Sequence, residues 1–69
     1  MIANNIIRIE SSELIKEISI YDIAGKLINN YSLEEYKNQF SDNFNYPNGV
    51  YIAKITLEND MIVSKKLIK

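Results

Sequence analysis

Between the turn-forming Tyr46-Pro47-Asn48-Gly49 and the pair Asn59-Asp60 lies the run Val50-Tyr51-Ile52-Ala53-Lys54-Ile55-Thr56-Leu57, and nothing else in the chain narrows the fold as far. Tyr51, Ala53, Ile55 and Leu57 share one parity and Val50, Ile52, Lys54 and Thr56 the other, which is the period of a strand. The first set makes the better core face. Pro47 suits the second position of a tight turn, and Asn48 or Gly49 its positive-φ positions. Asn59-Asp60 is read as a two-residue type I′ connection, because both residues tolerate a left-handed backbone. The returning strand, Met61 to Ile68, carries Val63 and Leu67 on one face and Ile62 and Ile68 on the other. Pattern alone therefore leaves its orientation open. The hairpin ends in positive charge, Lys65-Lys66-Leu67-Ile68-Lys69.

The preceding residues repeat the same grammar. Asn4-Asn5-Ile6-Ile7-Arg8-Ile9-Glu10 puts Ile7 and Ile9 opposite Arg8 and Glu10, and Ser11-Ser12-Glu13 is expected to break that strand. A second run through Ile18 and Ile20 leads to Asp22-Ile23-Ala24-Gly25, a turn whose glycine takes positive φ without steric cost. Lys26 to Tyr31 returns, closed by a bulged or longer loop rather than a two-residue one. Ser32-Leu33-Glu34-Glu35-Tyr36 carries the spacing of a capping box and could open one helical turn. Alternation resumes at Asn38 to Phe44, with Asp42 set between Phe40 and Phe44, which demands either an edge position or a bulge there. Six short strands without a long helix predict an all-β, two-layer sandwich filling one domain, residues 1–69.

Size and composition limit the chemistry. A chain of 69 residues has material for one modest core. With neither Cys nor His, disulfides and a structural zinc site are not expected, and no cofactor or metal is assigned. Eight basic against nine acidic side chains leave a net charge of -1, which gives no argument for a nucleic-acid partner. No apolar run reaches the roughly 18 residues that span a bilayer, so no transmembrane segment is expected. The usual nucleophile and base pairs are missing, and Glu34-Glu35 reads as a solvated loop. Asp42, Asn43 and Asn45 lack the spacing of a calcium loop and read as a self-capping turn. Two glycines, Gly25 and Gly49, cannot build a phosphate cradle. No enzyme is expected.

Two features remain as candidates for binding. Five tyrosines offer flat faces with polar tips, suited to a sugar or peptide groove; Tyr51 is assigned to the core and Tyr21, Tyr31, Tyr36 and Tyr46 to the rim. Lys65, Lys66 and Lys69 serve either to protect an edge strand from aggregation or as an electropositive feature read by a partner.

Three blocks carry a family resemblance. Tyr21-Asp22-Ile23-Ala24-Gly25-Lys26-Leu27, Pro47-Asn48-Gly49-Val50-Tyr51-Ile52-Ala53-Lys54-Ile55 and Ser64-Lys65-Lys66-Leu67-Ile68-Lys69 resemble, in order and spacing, the type A C-terminal sorting domains of the type IX (Por) secretion system of Bacteroidetes-type bacteria. The resemblance implies an Ig-like antiparallel β-sandwich of six to seven short strands, ending a larger exported cargo protein. It implies an address rather than a catalyst, recognised by the outer-membrane translocon and often removed by a sortase-type surface peptidase. The cargo would pass through the periplasm to the cell surface or be secreted. By motif, Gly25, Lys26, Gly49, Val50 and Tyr51 would hold the shape, and Lys65, Lys66, Leu67, Ile68 and Lys69 would be the recognition end. Two other readings stay open: a secreted adhesin or carbohydrate-binding module, and a structural module ending a multidomain enzyme.

Overall fold

A computed structural model describes all residues, 1–69. It contains five strands: β1 (Ile2–Ala3), β2 (Ile6–Asp22), β3 (Leu27–Asn43), β4 (Val50–Leu57) and β5 (Ile62–Ile68). There is no helix, and every pairing is antiparallel in a single sheet. β2 is the spine. Along one side it pairs with β3 from end to end, and along the other with β1 near its start and β4 near its finish; β5 pairs with β4 alone.

The strand count differs from the expected six, for a physical reason. Ser11-Ser12-Glu13 does not end a strand; residues 11–14 bulge out of β2 opposite the single Asn38 of β3. Asn38 holds that bulge, its side-chain amide donating to the carbonyls of Ser11 and Ser12 at 3.2 Å each. The capping-box segment forms no helix either. Residues 33–36 bulge from β3 opposite the single Lys16, so the two excursions cancel and Glu17 meets Ser32 in the register that Ile6 and Asn43 set. Local turn chemistry was legible at both places, but it bends strands instead of ending them.

That bend decides the shape. Seventeen extended residues would reach about 55 Å, whereas the longest extent of the Cα trace is 31 Å. Residues 44–49, joining the end of β3 to the start of β4, can bridge at most about 25 Å. β3 ends beside the start of β2, and β4 starts beside its finish. The sheet must therefore double over at the bulges, bringing the two ends of β2 together. Across the fold Tyr31 meets Phe40 with ring centroids 4.6 Å apart, and Phe44 meets Tyr51 edge-on at 5.0 Å.

Inside lies one cluster of twelve apolar residues, among them Ile7, Ile9, Ile15, Ile18, Ile20, Phe44 and the expected face Tyr51, Ala53, Ile55 and Leu57. No charged or polar side chain is buried. Asp42 resolves as an edge residue: the register from Ile6–Asn43 to Ile9–Phe40 is unbroken, and its carboxylate stays exposed on the outer strand.

Three turns depart from expectation. Asn4 and Asn5 are not strand residues but the two positive-φ positions, at 55° and 61°, of a tight hairpin joining β1 to β2. Asn59-Asp60 is not a two-residue connection. Leu57 pairs with Met61 around a three-residue loop, the amide of Asp60 bonds the carbonyl of Leu57 at 2.9 Å, and only Asp60 is left-handed, at 66°. The β2–β3 turn has the same build, with Gly25 at 88° and Asp22 accepting the amides of Ala24 and Lys26 on its carboxylate. Neither Asn48 nor Gly49 has positive φ, contrary to the turn expected there.

Candidate recognition edge

The three motif blocks, far apart in sequence, lie side by side at one end of the sheet. Tyr21 and Asp22 of β2 pair with Ile52 and Tyr51 of β4, which pair in turn with Lys66 and Leu67 of β5. Gly49 and Lys69 exchange both backbone hydrogen bonds, at 3.2 and 2.9 Å, extending the last ladder by one pair. A Cβ added at Gly49 would meet nothing within 4 Å, so space does not require a glycine there. Tyr51 is buried and donates its hydroxyl to the carbonyl of Pro47 at 2.5 Å, which ties the start of β4 to the loop before it. Val50 is half-buried opposite Ile68, and Lys26 is exposed beside the Gly25 turn.

The five residues of the expected recognition end do not share one environment. Leu67 belongs to the core, packed at 5% exposure opposite Tyr51. Lys69 is a fastening: its ammonium donates to the carbonyl of Phe44 at 3.0 Å and to that of Tyr46, and sits 6.0 Å from the centroid of the Phe44 ring. Those bonds satisfy carbonyls of the loop that closes the doubled sheet. Lys65, Lys66 and Ile68 are exposed, with Lys65 on the face of Leu67 and the other two on the opposite face.

β5 is an open edge. Because Gly49–Lys69 and Leu57–Met61 are hydrogen-bonded to β4, alternation directs Val63, Lys65 and Leu67 inward and leaves the N–H and C=O groups of Ile62, Ser64, Lys66 and Ile68 pointing outward. No side chain bonds the backbone of β5. Its register against β4 runs without a shift from Ile68 to Ile62. Large apolar side chains stand exposed along it: Met61 at 59%, Ile62 at 63%, Val63 at 37% and Ile68 at 64%. The mixed parity of Met61 to Ile68 was the sequence signal for this, since a strand at a sheet edge presents apolar residues on both faces with too little core to cover them.

The charge on this side is of one sign. β4 and residues 62–69 carry Lys54, Lys65, Lys66 and Lys69 and no acidic residue. Lys54 lies over the Tyr21 ring at 5.2 Å, and Lys69 is engaged as described. The molecule's one ion pair joins Lys16 to Asp60 at 2.6 Å on the turn before β5, and it raises the Lys16 pKa through that hydrogen bond and charge. Lys65 and Lys66 are left without a carboxylate partner.

Other surfaces are less organised. An open groove of about 700 Å³ beneath the β3 bulge is lined by Arg8, Glu10, Leu33, Glu34, Lys37 and Phe40, charges of both signs around a small apolar floor. Of the tyrosines only Tyr36 is exposed; Tyr21, Tyr31 and Tyr46 are half-buried and scattered. Burial pushes the Tyr31 hydroxyl pKa up, with Asp42 adding to the shift.

No curated protein matches the chain. Over residues 1–69 it matches the family described as Domain of unknown function (DUF8694), and the protein belongs to that family.

Proposed function

We propose that this domain is a type IX C-terminal sorting domain, an address that is read at its β5 edge and performs no catalysis. The observation that carries the reading is the convergence of the three blocks. Tyr21–Leu27, Pro47–Ile55 and Ser64–Lys69 meet on adjacent strands, so one partner could contact the last block while the first two hold it flat. In this reading the doubled-over sheet corresponds to the two layers of an Ig-like sandwich. The bond from the Tyr51 hydroxyl to the carbonyl four residues upstream supports it, because Ig-type sandwiches carry a tyrosine corner of that kind. The partners would be the translocon and a sortase-type peptidase, and the path would run through the periplasm to the cell surface.

An adhesin would present a cluster of exposed aromatic rings, and Tyr36 alone does not make one. The sorting reading is tested by fusing residues 1–69 behind a signal-peptide-bearing reporter in a type IX-competent host. Export to the surface or medium is expected. A reporter that folds and stays in the periplasm contradicts the proposal. Removing Lys65–Lys69 is a poor variant for this purpose, since it also takes away the core residue Leu67 and the Lys69 fastening.

A further inference from the structure

We infer that β5 binds an extended polypeptide segment by strand addition, and that this segment carries two adjacent carboxylates flanked by apolar residues. The inference rests on the sorting reading for the partner's place in the cell, but not for its chemistry.

The backbone supplies the first half of the argument. Four consecutive outward-facing residues, Ile62, Ser64, Lys66 and Ile68, offer unpaired donors and acceptors in a straight, unshifted row. An added strand satisfies such a row and draws affinity from main-chain hydrogen bonds, while specificity comes from side chains at alternate positions. Side chains supply the second half. Lys65 and Lys66 point to opposite faces near the middle of the row, so a complementary strand needs carboxylates at two neighbouring positions, one per face. Met61, Ile62 and Val63 on one flank and Ile68 on the other call for apolar side chains beside them.

A second copy of this chain fits poorly. Antiparallel pairing of β5 with itself over its full length sets Ile62 against Ile68 and Lys65 against Lys65, and like charges directly opposite are destabilising. Beside the groove under the β3 bulge the outward row is shorter, Gln39, Ser41 and Asn43, and no exposed aliphatic side chain flanks it.

The test uses the 69-residue domain and a capped seven-residue peptide, two central glutamates flanked by threonine and valine, with the glutamates replaced by lysines in a control peptide. Amide hydrogen exchange is read residue by residue. Without peptide, Ile62, Ser64, Lys66 and Ile68 should exchange fast while Val63, Lys65 and Leu67 are protected. Glutamate peptide should protect the first four, and binding should weaken with added salt. Ser64→Pro removes an outward donor that makes no bond to β4, so it should keep the fold and abolish that protection. If Ser64→Pro fails to fold, the pair Lys65→Glu and Lys66→Glu carries the test, with an expected loss of about tenfold or more in affinity for two charge pairs.

Protection confined to other strands overturns the inference, as do equal binding of the glutamate and lysine peptides and protection of the four amides by rising protein concentration alone. The two readings fail separately. Peptide binding at β5 without reporter export sinks the sorting reading only, whereas export without protection of β5 sinks this inference only.

Discussion

Apart from the two-residue β1, the sheet has two edge strands, β3 and β5, and they are finished differently. On β3 the row of outward groups is broken by the residue 33–36 bulge into Asn30 and Ser32 on one side and Gln39, Ser41 and Asn43 on the other, and polar side chains stand beside the first part. The amide of Asn30 bonds the Asn29 side chain at 2.8 Å, the Asn30 amide group reaches Ser19, and the Ser32 hydroxyl lies near Glu17. On β5 the row is straight, its backbone meets no side chain, and apolar residues stand beside it. Long flat apolar edges are an aggregation hazard that folds normally suppress. Here a bulge shortens the row on β3, whereas on β5 the row is whole and the charges of Lys65 and Lys66 are what oppose association.

Four changes would break or sharpen that contrast. The largest effect should come from Leu67→Ala, which empties a core position and should cost about 2–4 kcal/mol in urea denaturation. Ile68→Ala, one residue on, should stay within about 0.5 kcal/mol. Equal losses would mean that Ile68 is covered and β5 is not the edge described.

Next, Asn38→Ala removes both bonds that hold the β2 bulge and should cost about 1–2 kcal/mol. An unchanged midpoint would show that the β2 bulge, and the fold of the sheet at that point, holds without Asn38.

A smaller effect on stability, but a clear one on association, is expected for the double change Lys65→Ala and Lys66→Ala. Monomer stability should move by less than about 0.5 kcal/mol, while sedimentation should show self-association at lower concentration than wild type. Lys37→Ala on β3 should not associate, because the neighbouring bulge already blocks that edge. If both behave alike, the two edges are equivalent and the contrast fails.

The smallest effect is alkaline. The pKa values of Lys16 and Tyr31 are both raised in the folded state, from ordinary values of 10.5 and 10.0, so the folded protein holds those protons more tightly than the unfolded chain. Their contribution is intact below about pH 10 and is lost as pH rises through the folded-state values. Thermal midpoints should be flat through neutrality in this respect and fall above pH 10. Tyr31→Phe should remove part of that fall; an identical alkaline limb would contradict the assignment.

Much of this fold was written in local alternation. The buried face of β4 and the glycine turn after Asp22 follow from residue types at fixed spacing, because a two-residue period and a left-handed turn position are local constraints. What alternation could not convey was continuity across a bulge. Ser11-Ser12-Glu13 and Ser32–Tyr36 look like ends because their residues favour turns, yet each is held in the sheet by a partner on the other strand that local pattern does not identify. Asn4-Asn5 was the opposite case, a strong turn signal absorbed into a strand by the apolar run beside it. At the candidate site the lysines were visible as a group, but their division into a fastening at Lys69 and free charges at Lys65 and Lys66 depends on the loop at Phe44 and Tyr46 lying next to the end of β5.

The central claim is that the β5 edge is what a secretion partner reads, and reporter export tests it most directly. Two variants of the fused domain should be compared in a type IX-competent host: Lys65→Ala with Lys66→Ala on β5, and Glu34→Ala with Glu35→Ala in the β3 bulge. Both pairs are exposed, so both domains should fold. The β5 variant should leave the reporter in the periplasm while the β3 variant exports like wild type. Equal export of the two, in a host that exports the wild-type fusion, would contradict the claim.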